Sequence, residues 1–197
     1  MRTPTAVALM VLSIAACSKK DTAIVDSASV GASAAAATPA PLPTPPAPLL
    51  TESNIVAKVA SADSSEIALA KLAETKANKA DVKSYARMLV ADHTANAKEF
   101  AELEKKANMT AQMPANDMSA QDAQAALERF KSMDKAVFDT AFVNHAVEAH
   151  QKMLTEVQNL AATATTPELK DLLTKTGPVV QKHIDKGQEL QKKLTGM

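Results

Sequence analysis

The sequence predicts an all-α protein, an antiparallel four-helix bundle with one additional short helix, placed behind a leader and a tether. Three observations predict it. Forty of the 197 residues are alanine and only 4 are glycine, a composition suited to closely packed helices. Aromatics are 3% of the chain, with no Trp and one Tyr, whereas a β-sandwich draws on aromatic and β-branched residues. From residue 51 onward, apolar residues recur at helical spacing in four long runs. Charge and cysteine narrow the function. The 22 basic and 22 acidic residues give zero formal net charge, which argues against a strongly basic nucleic-acid binder and against a polyanion mimic. A single Cys excludes an internal disulfide framework and any Cys-based zinc site.

Residues 1–16 read as a lipoprotein signal peptide. Arg2 supplies the positive start, and Ala6 to Ala16 is an uninterrupted small and apolar run. That run is shorter than the about 20 residues a membrane-spanning helix needs and has the form of a secretory h-region. It ends in Ile14-Ala15-Ala16-Cys17, which resembles the bacterial lipobox and implies that Cys17 is lipidated as the mature N-terminus. Several acyl chains on one Cys give stable membrane anchoring. Ser18 in place of Asp resembles the outer-membrane signal of enterobacterial lipoproteins, so the expected address is the outer membrane, facing the periplasm.

Residues 17–50 form the second segment, the lipidated Cys and a linker. It is rich in Ser, Ala, Thr and Pro, and six of the chain's ten prolines fall between Pro39 and Pro48. Proline lacks the amide donor and fixes φ, so a disordered or polyproline spacer is expected. Fully extended, it would reach about 100 Å from the membrane.

Residues 51–197 are the helical domain. The first helix is expected from the Thr51-Glu52-Ser53-Asn54 cluster to about Ala77, with Ile55, Val59, Ala62, Leu69, Ala70 and Ala73 inward. The second runs from about Ala80 to Ala107 on Val82, Ala86, Leu89, Phe100 and Leu103. After a loop over 109–118, Ser119 and Asp122 suggest a capping box for a short helix to about Lys131. Asp134 is placed to cap the next long helix, which carries Phe138, Phe142, Val143, Ala146, Met153, Leu154 and Val157 to about Ala162. Thr166-Pro167-Glu168 starts the last helix, with an N-cap Thr, Pro at the first position and an acid in the first turn. Its inward face is read as Leu169, Leu172, Val179, Leu190 and Leu194, with a kink at Gly177-Pro178.

Ionisable residues fall on these apolar stripes. Glu66 follows Val59 by seven residues, His93 follows Leu89 by four, His150 follows Val143 by seven, and His183 follows Val179 by four. Counted from the two turns at about 1.5 Å per residue, all four lie within one layer about 9 Å thick. Asp139 shares the His150 stripe in a different layer, and Asp92 and Glu74 flank their stripes. Buried ionisable groups are costly unless they pair or bind a metal. Glu66, His93, His150 and His183 therefore suggest a transition-metal site, a donor set that suits Fe, Mn, Zn or Cu without choosing among them. The same four also suit a buried hydrogen-bonded network that sets helix register. His145 and Glu148 are expected as a solvated pair on the far face. Met109, Met113 and Met118 share one loop, as gap-fillers or as a thioether copper site.

Glu66 within SSEIALAKLAETKA, the VADH segment ending in His93, the FDTAF segment, the VEAH segment ending in His150 and the late His183 together resemble a bacterial envelope family. That family is described as a ferritin-like domain of unknown function or as an outer-membrane protein. The resemblance spans about residues 52–194 and implies a ferritin-like bundle in the periplasm or on the outer membrane, with no established activity. The chain departs from di-iron ferritin-like proteins, which use Glu-x-x-His on two helices; no such motif occurs in it. No catalytic residue is assigned, since there is no Gly-x-Ser-x-Gly elbow and no Gly-rich phosphate loop. The expectation is a membrane-anchored envelope lipoprotein that works as a binding or interaction module whose bundle core is able to hold a metal. The alternatives are a metal-dependent oxidoreductase of periplasmic oxidative-stress defence, and a structural envelope protein with a polar network and no metal.

Overall fold

Thr51 opens the first helix by a capping box: the Asn54 amide donates to the Thr51 hydroxyl, and the Thr51 amide donates to the Asn54 side chain, each at 3.1 Å. The structure is a computed structural model that describes residues 50–196. The expected signal peptide, Cys17 and all of the linker but Leu50 lie outside the described residues. Those described form five helices: α1 (Glu52–Lys76), α2 (Ala80–Ala107), α3 (Ser119–Ser132), α4 (Lys135–Thr163) and α5 (Pro167–Thr195). There is no strand among the described residues, and no helix among them is long and apolar enough to cross a membrane.

Short turns over 77–79 and 164–166 fold α1 with α2 and α4 with α5 into two helical hairpins. A carboxylate from the opposite hairpin secures each turn. Asp139 of α4 accepts from the amides of Asn78 and Lys79 at 2.9 and 2.8 Å, supplying the cap that Lys79 itself lacks. Glu52 of α1 accepts from the amides of Thr165 and Thr166 at 2.9 and 2.6 Å. These donors would otherwise be orphaned at helix starts. Asp134 caps α4, accepting from the Ala136 amide at 2.7 Å. The α3 start differs from expectation: Met118 is its N-cap without a side-chain bond, and Asp117 accepts from the Ser119 amide at 2.9 Å. Asp117 wins because its carboxylate already faces Lys58. Helix α5 runs unbroken through Pro178, which sits on the exposed face, where water can satisfy the carbonyl that loses its donor.

The bundle core has two apolar clusters. One gathers Leu69, Ala73, Val82, Leu89, Phe138, Phe142 and Leu190, with Phe130 of α3 closing over it. The other gathers Ile55, Val59, Phe100, Val157, Leu160, Leu169 and Leu173. Small residues bring the helices close, most tightly at Gly187, where a Cβ would overlap Val147 and press on the Tyr85 hydroxyl. The buried face of α5 is shifted from the expected one. It runs Leu169, Leu173, Thr176, Val180, His183, Gly187, Leu190, while Val179 is 37% exposed. Alternating steps of four and three keep one face inward, and Thr176 and Gly187 take two of those places although neither is a large apolar residue.

Candidate metal centre

Each long helix passes from one apolar cluster to the other, and the layer between them is polar. On α2, His93 stands between Leu89 and Phe100; on α4, His150 stands between Ala146 and Val157; on α5, His183 stands between Leu173 and Leu190. All three imidazoles are buried, at 4%, 0% and 1% exposure. One ring nitrogen of each lies within 4.8 Å of the other two.

The remaining nitrogens fix which atoms converge. His150 Nδ1 lies 2.7 Å from the Ala146 carbonyl; a carbonyl only accepts, so Nδ1 carries the proton and Nε2 is a lone pair. His93 Nδ1 donates to Asp63 at 2.8 Å, and its Nε2 lies 3.3 Å from the His150 Nε2. His183 donates from Nε2 to Asp92 at 3.0 Å, and its Nδ1 is buried without a hydrogen-bond partner among the described residues. Burial opposes protonation as a way out: it pulls His150 below the ordinary imidazole range against the opposing pull of Glu66, and lowers His183 to about 4 against the opposing Asp92 bond. Burial raises the Asp92 carboxyl, but the hydrogen bonds from His183 and Lys182 outweigh it and hold Asp92 below its usual value.

Three buried imidazoles with their other nitrogens held by acceptors are a ligand set for a transition metal. A metal–nitrogen bond of about 2.0–2.1 Å in tetrahedral geometry separates two ligand nitrogens by roughly 3.3 Å, the spacing of the His93 and His150 Nε2 atoms.

Of the four expected ligands, the three histidines converge. Glu66 is half-buried in the wall of an adjoining cavity and is not one of the mutually close group. Asp92 serves as the partner of His183. Asp139 sits at the α1–α2 turn, in another layer as expected, and Glu74 is not part of the cavity wall. His145 is not a solvated partner of Glu148. Its ring packs on Phe130 at 5.2 Å, burial lowers its pKa, and Glu148 pairs instead with Lys152 at 2.7 Å. The loop methionines face different surroundings: Met109 packs on the second apolar cluster and Met118 is 56% exposed.

Asp63 is the residue that stripe reading passes over. It is 2% exposed and ends a chain of hydrogen bonds across three helices. The Thr176 hydroxyl donates to Asn96 Oδ1 at 2.9 Å, and the Asn96 amide donates to Asp63 Oδ2 at 2.8 Å. A height signal points to it: Asp63 is fifteen residues before Asn78 and His93 fifteen after it, so the two are level across the hairpin. Asp63→Asn is expected to weaken metal binding by about 10–100-fold, read by competition against a chromophoric chelator. Unchanged affinity would remove Asp63 from the site.

A family model described as Domain of unknown function (DUF4142) matches residues 31–190. No curated protein and no solved structure matches the chain.

Proposed function

The chain belongs to the DUF4142 family, whose description assigns no activity, and from the site itself we propose that it is a metal-binding envelope protein. In this reading a ferritin-like four-helix bundle holds one transition metal through His93, His150 and His183, and lipidated Cys17 anchors it to the outer membrane through the Pro-rich linker. The observation that carries the metal is the bare, buried His183 Nδ1 beside the facing Nε2 atoms of His93 and His150. A purely structural network would satisfy all its members, and a buried acceptor left alone costs about 1–3 kcal/mol. A bound cation uses all three lone pairs at once.

Metal binding of this kind is coupled to folding. Chelation is expected to lower the melting temperature, and zinc or the native metal to restore it, because a ligand at 100 times its Kd stabilises by about 2.7 kcal/mol. A melting temperature indifferent to both contradicts the proposal. The address has its own test. Cys17→Ser is expected to move the protein from the membrane fraction to the soluble periplasmic fraction; membrane retention at the wild-type level contradicts lipid anchoring.

The cavity beside the histidines supports a second reading, in which the metal reacts and the protein is a metal-dependent oxidoreductase of periplasmic oxidative-stress defence. A redox-active metal in the native protein, with peroxide or superoxide turnover lost in the His93→Ala variant, would establish it. A native metal that is not redox-active contradicts it.

A further inference from the structure

A half-open cavity of about 410 Å³ enters the bundle beside the histidine layer. That is far more than the about 30 Å³ share of one water and lies in the about 300–1,000 Å³ range of small-molecule sites. His93 and His183 belong to its wall, and His150 does not. The side of the three-imidazole set away from His150 therefore faces the cavity. Glu66 lies in the wall without joining the close group, so no carboxylate closes that side.

We propose that a metal on these imidazoles keeps a coordination position open to the cavity, and that the cavity admits a small, uncharged donor molecule to it. This rests on the metal-binding reading and adds the ligand class. The walls are largely apolar, with Val59, Ala62, Val157, Leu172 and Val180 among them, which favours a compact molecule with an apolar body. Charge selects against anions. Asp63, Glu66, Asp92, Glu99 and Glu156 are all in the wall, and the two lysines there are already committed. Lys58 pairs with Asp117 and Glu156 at 3.1 and 3.0 Å, and Lys175 with Asp171 at 2.6 Å. On its way to the metal an incoming anion passes more carboxylates than lysines in the wall and no unpaired lysine, and like charge disfavours it. A cationic amine has no lone pair to give the metal. An uncharged nitrogen or oxygen donor meets neither obstacle. The rim is formed in part by exposed Ala95, Glu99, Lys175 and Val179 on α2 and α5.

Cobalt(II) reports coordination changes in its visible spectrum, so the full chain, in detergent and loaded with cobalt, is titrated with imidazole at about pH 8, above the ordinary imidazole range. A saturable spectral change is expected, with azide at least about tenfold weaker because of the carboxylate walls. Ala62→Phe, which fills the cavity, should keep the cobalt and lose the response. Val179→Trp at the exposed rim should keep the cobalt and weaken the response, and it serves if the interior variant does not fold. A cobalt-loaded protein whose spectrum ignores imidazole has closed coordination, and the proposal fails while the metal site stands. A response unchanged in a folded variant, or azide as effective as imidazole, also overturns it. A chain that takes up no cobalt overturns the metal reading and this inference together.

Discussion

Alanine at His93, His150 or His183 should take the metal retained through purification from about one ion per chain to background. The three are not alike in their surroundings, and that sharpens the expectation. His150 is held by a main-chain carbonyl of its own helix, so its ring remains oriented whatever happens on α1 or α2. His93 depends on Asp63 across the α1–α2 hairpin, and His183 on Asp92 of α2. Removing any one leaves two imidazoles, and a pair does not hold a metal against chelators as a convergent trio does. Removing His183 takes a ring nitrogen from Asp92 and removing His150 empties a fully buried place, so both chelated variants should be less stable than the chelated wild type, by about 1–3 kcal/mol. Elemental analysis and melting in chelator read the two effects separately. Full metal retention in any of the three variants would remove that residue from the ligand set.

Phe142→Ala should be among the most destabilising core changes, by about 3–5 kcal/mol, a fall on the order of 10 °C in melting temperature for a domain of this size. Phe142 is 1% exposed, stacks on Phe138 with centroids 6.1 Å apart and meets the Tyr85 ring edge-on at 6.2 Å. The loss therefore combines transfer, an unfilled cavity and two aromatic contacts. It also reaches the site. Tyr85 donates to the His183 carbonyl at 3.0 Å through the space that Gly187 leaves, and Phe142 is one wall of the Tyr85 slot. A weaker metal affinity is expected alongside the lower stability. Denaturant unfolding that shows less than about 1 kcal/mol of loss would mean that this cluster is not packed as described.

The helices were legible because their ends and their faces carry separate signals. Thr51, Asp134 and Thr166-Pro167 mark starts, and the second helix, read from periodicity as about 80–107, is α2 (Ala80–Ala107). The three histidines were legible for the same reason: each interrupts an otherwise apolar stripe at the same height. The α5 face is not legible at Val179 because Thr176 and Gly187 occupy inward places without a large apolar side chain, which shifts the apolar pattern by one residue. Asp63 is not singled out by periodicity, because Asp63 and Glu66 follow Val59 by four and seven residues and share the α1 stripe; the equal count on either side of the α1–α2 turn separates them. Asp117 displaced the capping box expected at Ser119, since a cap fixed by Lys58 from another helix leaves no trace in local spacing. His145 looked solvated because Phe130, which covers it, comes from α3, a helix whose docking site is a tertiary outcome.

In the proposed function, three buried imidazoles hold one metal. Elemental analysis of tag-free protein, purified without added metal and without chelator, tests it most directly. One transition-metal ion per chain, at about unit stoichiometry, is expected, lost in the His93→Ala protein. Substoichiometric metal that is the same in wild type and in the alanine variants would contradict it.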